Sequence, residues 1–142
     1  MEENVLINMK SVQSVYDDRT ETELVTSGRM TISDGLYSIS YDDSEATGFP
    51  GSTTNIVVRG SEYASVSRTG ATVSDLVMET GKKHHCHYET PYGTMNIGVY
   101  THVIENFLEE KGTIYMQYTI DINSGYISDN EIILKIKRDT KG

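Results

Sequence analysis

Between Thr113 and Ile122 the chain alternates without a break. Ile114, Met116, Tyr118, Ile120 and Ile122 fall on one parity; Thr113, Tyr115, Gln117, Thr119 and Asp121 fall on the other. Successive strand side chains face opposite sides, so this describes a strand with one dry face and one wet face. Most of the remaining sequence consists of similar short segments, each closed by Gly, Asn, Asp or Ser, with no long helical period among them. Many such strands in one small chain leave a sandwich or a barrel. Sequential hairpins favour antiparallel pairing in up-and-down order, and closure removes the exposed edges that an open sheet must protect. The expectation is an all-β fold, a closed or nearly closed antiparallel β-barrel of about eight to ten strands.

A chain of 142 residues makes about one domain, taken as 1–142, large enough to bury a core without staples. Ten tyrosines accompany two phenylalanines and no tryptophan. Tyrosine suits a strand surface that is apolar along the ring and wet at the hydroxyl. The formal net charge is −9 and lies unevenly: up to Glu45 ten acids face three bases, and beyond it eleven face nine. An acidic surface repels phosphate, which argues against nucleic-acid binding and against adsorption to anionic membranes. The single cysteine, Cys86, excludes an internal disulfide framework. Met1-Glu2-Glu3-Asn4 has neither the basic nor the apolar part of a secretory signal. No stretch reaches the roughly 18 apolar residues of a membrane span. A cytoplasmic protein is expected.

Local signals mark the hairpins. Asp34-Gly35 joins the β-rich stretch Thr20–Ile32 to Leu36–Tyr41, and glycine accepts the positive φ a tight turn demands. Gly28 shares parity with Leu24, Met30 and Ile32, where it would let a strand bend at a barrel corner. Asp42 to Ser52 contains Gly48-Phe49-Pro50-Gly51 and reads as a loop. Val103, Ile104, Phe107 and Leu108 fit one amphipathic helix turn. They also fit alternation, and the neighbouring strands favour the latter.

Tyr88-Glu89-Thr90-Pro91-Tyr92-Gly93 is the most distinctive word in the chain. Taken in order with Thr47-Gly48, Gly51-Ser52-Thr53-Thr54-Asn55-Ile56 and Arg68-Thr69-Gly70, it resembles the YwiB-like family of small bacterial proteins. The likeness spans nearly the whole chain. It implies a calycin, a lipocalin-like β-barrel, in agreement with the strand count. The family's function is unknown, so the resemblance implies no catalytic or binding residues.

Ala64, Val66 and Arg68 share parity, which would turn the arginine inward. There its planar, charged fork would suit a carboxylate or phosphate head group. The plainer reading, an arginine at a strand end reaching water, is preferred for Arg68. Tyr37, Tyr41 and Tyr118 also share parity with apolar neighbours and would line the interior, their hydroxyls needing partners. Tyr37, Tyr41, Arg68 and Tyr118 are therefore the candidate ligand-binding residues. In His84-His85-Cys86-His87, His85 and His87 share one strand face while His84 and Cys86 share the other. Two imidazoles do not complete a zinc site, and nothing in the sequence brings His102 or Glu89 to them. An exposed polar strand is the plain reading, with no metal and no cofactor expected.

Glycine-rich phosphate loops, a nucleophile elbow and paired cleft carboxylates are all missing from the sequence. The expected function is non-enzymatic: a cytoplasmic barrel binding a small hydrophobic or anionic ligand, without nucleic-acid or membrane partners and with the oligomeric state left open. The alternative is a solid barrel acting as a protein-interaction or regulatory module, and a metal-dependent enzyme using His84–His87 is a distant third.

Overall fold

The computed structural model describes residues 2–44, 50–71, 73–90, 93–122 and 125–138. Strands β1 (Glu2–Val15), β2 (Asp18–Ser33), β3 (Leu36–Asp42), β4 (Ser52–Arg59), β5 (Tyr63–Gly70) and β6 (Ser74–Glu79) come first. They are followed by β7 (Lys83–Thr90), β8 (Gly93–Phe107), a single helical turn α1 (Leu108–Lys111), β9 (Thr113–Ile122) and β10 (Gly125–Arg138). Each strand pairs with its neighbour in sequence, and β10 returns to β1, so the ten form a closed antiparallel barrel. The closing ladder runs from Val5↔Arg138 to Ser14↔Asp129. Among the described residues no helix is long and apolar enough to cross a membrane.

The sequence signals translate directly into geometry. Asp34 and Gly35 have φ of 51° and 77°, the paired positive values of a two-residue hairpin turn whose twist matches its strands. Gly28 acts through space rather than through φ. A Cβ there would lie 2.3 Å from the Ser40 carbonyl oxygen and 2.6 Å from Ile7 Cδ1. The β2–β3 ladder starts beside it, running only from Arg29↔Ser40 to Ser33↔Leu36. The segment that fits two periods divides between them: β8 stays extended to Phe107, with a register shift between Thr101 and Val103, and only Leu108–Lys111 coils. Leu108 is buried, so α1 closes that end of the barrel with its one apolar side chain.

Aligned registers stack the inward residues of β3 to β6 in rungs. Tyr37, Val58, Ala64 and Met78 form one; Ile39, Ile56, Val66 and Leu76 the next; Tyr41, Thr54, Arg68 and Ser74 the third. Ile39, Val58, Ala64, Met78, Val99, Ile114, Met116 and Leu134 are wholly buried and fill the half of the barrel nearest α1. The inward face expected of β9 is the observed one: Ile114, Met116 and Tyr118 are buried and Ile120 packs against them. One seam is thin. β6 and β7 share the single pair Ser74↔Tyr88, and the Val77 N–H donates instead to Cys86 Sγ at 3.2 Å.

Candidate ligand-binding cavity

The third rung is where the wall turns polar. Thr54 sits on β4 with the same parity as Ile56 and Val58, and Arg68 pairs with it across the β4–β5 ladder. Both side chains therefore enter the barrel. Asp43 lies just past β3, its backbone N–H bonded to the Ser52 carbonyl at 2.8 Å, which folds its carboxylate back over the rung. Asp43 Oδ2 accepts from Thr54 Oγ1 at 2.7 Å and from Arg68 Nε at 3.2 Å. The same Arg68 N–H lies 3.2 Å from Thr54 Oγ1. The Asp43 side chain is 0% exposed and that of Arg68 17%. The Tyr41 hydroxyl joins through hydrogen bonds to Thr54 and Arg68. Burial pushes its pKa above the ordinary phenol range, against the opposing Thr54 hydrogen bond.

Beyond this rung the interior is hollow. A cavity of about 580 Å³ opens at the end opposite α1. Tyr41, Arg68 and Val66 form part of one wall, with Met9, Met116, Tyr118, Ile120 and Ile122 among the rest. Asn130 Nδ2 donates to Ser128 Oγ at 3.0 Å, a second buried polar pair on the cavity wall. At the lip, Met95 and Ile127 line the cavity and are exposed, at 36% and 41%.

Of the residues singled out in the sequence, Tyr41, Arg68 and Tyr118 come together here. The preferred reading of Arg68 as a solvent-reaching strand end is corrected: its parity carries the guanidinium inward, and Asp43 supplies the counter-charge that makes burial tolerable. Tyr37 is not in this cavity. It lies two rungs away, beside a hollow of about 800 Å³ at the α1 end whose lining includes Glu109, Lys111, Lys137 and Arg138. Sequence reading missed Asp43 and Thr54. Carrying the parity of Tyr41 one step past the strand end, and that of Ile56 one step back, points to both. Of the motif words, Ser52-Thr53-Thr54 and Arg68-Thr69-Gly70 pair directly. Thr47, Gly48, Pro91 and Tyr92 lie outside the described residues.

The histidines are dispersed. His85 and His87 are exposed, whereas His84 Nε2 contacts Glu79 Oε1 at 2.9 Å. His102 Nε2 meets Thr119 Oγ1 at 2.7 Å. Among the described residues no three His, Cys, Asp or Glu side chains are grouped to hold a metal.

The model of a family described as a domain of unknown function, DUF1934, matches residues 7–134. The crystal structure of the ywiB protein from Bacillus subtilis is similar in fold, with a TM-score of 0.71 over 94% of this chain and 92% of that one, at 20% identity. No curated protein matches in sequence. The resemblance to the YwiB-like family is thereby shown, together with its barrel.

Proposed function

The chain belongs to the DUF1934 family of domains of unknown function, and from that premise we propose that its barrel is a non-enzymatic, cytoplasmic receptor for one small, largely apolar ligand. The observation that carries this reading is the hollow mouth half beyond a core of wholly buried side chains; the hollow at the α1 end is edged instead by the exposed, charged Glu109, Lys111, Lys137 and Arg138. A barrel of this size can fill itself with side chains, and the α1 half does so. In the mouth half, Val66, Leu76 and Ile120 stop short of one another and leave about 580 Å³, within the roughly 300–1,000 Å³ of small-molecule sites. Mostly apolar walls with a few fixed polar groups are the usual composition of such a site. Fold alone supports none of this, since one architecture serves many functions.

The non-enzymatic part rests on the chemistry of the wall. Its described polar groups are hydroxyls, the Gln13 and Asn130 amides, the Arg68 guanidinium and the Glu131 carboxylate, with neither histidine nor cysteine among them, so no nucleophile–base pair is assembled. A solid interaction module, the rival reading, fits the α1 half but not the mouth half.

Binding of the uncharged dye Nile red, followed by fluorescence, tests the proposal. The protein is expected to bind it, and Val66→Phe, which puts a ring into the cavity, is expected to weaken binding at least about tenfold with the melting temperature retained. Absence of dye binding, or equal binding by the variant, would reject an interior site.

A further inference from the structure

We infer that the ligand is an amphipathic cation: an apolar body seated in the barrel with a protonated amine at its mouth. This rests on the proposed ligand-binding reading and names the chemical class that the mouth selects. Three features carry it. First, among the described residues the interior offers an anion only the Arg68 guanidinium, which already bonds the fully buried Asp43. An entering carboxylate or phosphate would have to compete with that pair and would bring a second negative charge beside Asp43.

Second, charge is sorted along the barrel axis. Asp17, Asp18, Asp42, Asp75 and Asp129 are exposed at or near the mouth. Of these, Asp42 has Arg29 3.8 Å away, while Arg19, also nearby, is paired to Glu21 at 2.9 Å, which leaves Asp17, Asp18, Asp75 and Asp129 without an ion pair to a lysine or arginine among those described. At the α1 end, by contrast, Arg59, Lys82, Lys111, Lys137 and Arg138 stand among the local carboxylates, with Lys82 paired to Glu79 at 3.0 Å and Arg138 to Glu3 at 2.9 Å. A ring of one sign around a low-dielectric opening concentrates ions of the opposite sign and repels those of its own.

Third, the apolar wall continues out over the lip. Met95 and Ile127 are shared between cavity and surface, and Val15, Tyr16 and Val73 stand exposed in the turns at the same end. Apolar lip residues interleaved with carboxylates match a molecule whose apolar part ends where its positive charge begins. An exposed apolar patch at an opening is a recognition surface more often than an accident.

Displacement of Nile red by three amphiphiles of one chain length, dodecylamine, dodecanol and dodecanoate, each below its micelle concentration, tests the inference. At low ionic strength the amine is expected to displace the dye at a concentration about tenfold lower than the acid, with the alcohol between them. The gap should shrink as salt screens the mouth. Asp17→Asn combined with Asp75→Asn should narrow it as well, while leaving dodecanol unchanged. Dodecanoate equal to or better than dodecylamine, with the dye still displaced, would overturn the cation while the cavity reading stands. A dye that never binds would overturn both.

Discussion

An arginine inside a small barrel is tolerable only in company. Arg68 has that company in Asp43 and Thr54, three side chains drawn together by one ladder register and one backward-folded loop residue. Removing one member of a buried ion pair costs more than the pair itself contributes, because the other charge stays behind. Arg68→Met is therefore expected to destabilise by about 3 kcal/mol, and adding Asp43→Asn to recover part of the loss. Denaturant melts of the two variants would check this; additive losses would mean the pair is not energetically coupled. Tyr41→Phe, which deletes the hydroxyl bonded to Thr54 and Arg68, is expected to cost about 1–2 kcal/mol by the same measurement. Outer-face residues are not all idle. Thr119 Oγ1 donates to Asp129 Oδ1 at 2.7 Å while meeting His102 on its other side, so it is a poor neutral control. Gln117, on the same wet face, is the better one.

Strand β9 shows how one element serves both halves of the barrel. Ile114 is 0% exposed in the packed half, whereas Ile120 lines the cavity. Truncating a wholly buried isoleucine leaves a void among fixed neighbours, so Ile114→Ala should cost about 3–4 kcal/mol. Ile120→Ala merely widens a space already open, and about 1–2 kcal/mol is expected. Gln117→Ala should be close to neutral. If Ile120 cost as much as Ile114, the cavity would have to be filled in solution. The β6–β7 seam is the other element-scale feature. With one ladder pair, a thiol standing in for a carbonyl at Val77, and otherwise side-chain contacts such as His84–Glu79 and the His87 N–H to Asp75 Oδ1, it lacks the continuous backbone ladder that holds the other seams against local opening. Amide exchange of β6 and β7 should be the fastest among the paired strands and that of β9 and β10 among the slowest, as native-state hydrogen exchange would resolve.

For the molecule as a whole, two buried acids make stability sensitive to alkali. Burial pushes the Cys86 thiol above its ordinary 9.0, against the lowering effect of the Val77 hydrogen bond. Burial likewise raises Tyr41 above 10.0. In the unfolded chain both ionise at their ordinary values, so the folded state binds more protons once pH exceeds about 9. Their contribution is whole below that pH and is lost as pH climbs through the raised folded values. Thermal melts should hold level up to about pH 9 and then fall, less steeply in Tyr41→Phe than in the parent; a parent that gained stability above pH 10 would contradict the sign.

Alternation in the sequence pointed to an antiparallel barrel of about eight to ten strands, to the inward residues of β3, β4 and β9, and to the Asp34-Gly35 hairpin turn. Those properties are local. Parity has a period of two, and a turn needs only the φ values its own residues accept. The cavity is not local. It exists because ten registers add up to a particular stagger, setting the polar third rung and the small Val66 opposite Ile120 and Tyr118 rather than against a filling ring. Arg68 and Asp43 are 25 residues apart, and parity alone leaves open whether an inward arginine meets a carboxylate or a strand end meets water. The axial sorting of charge is a product of closure as well. In sequence the excess acid belongs to the first third of the chain; in the barrel, up-and-down threading returns every second turn to the same end, and Arg59, Lys82, Lys111, Lys137 and Arg138 gather at the α1 end, leaving exposed aspartates at the mouth. Side-chain direction follows from bonding within a strand, but which side chains confront one another across the interior follows only from how all the strands close, and that is decided by the tertiary structure.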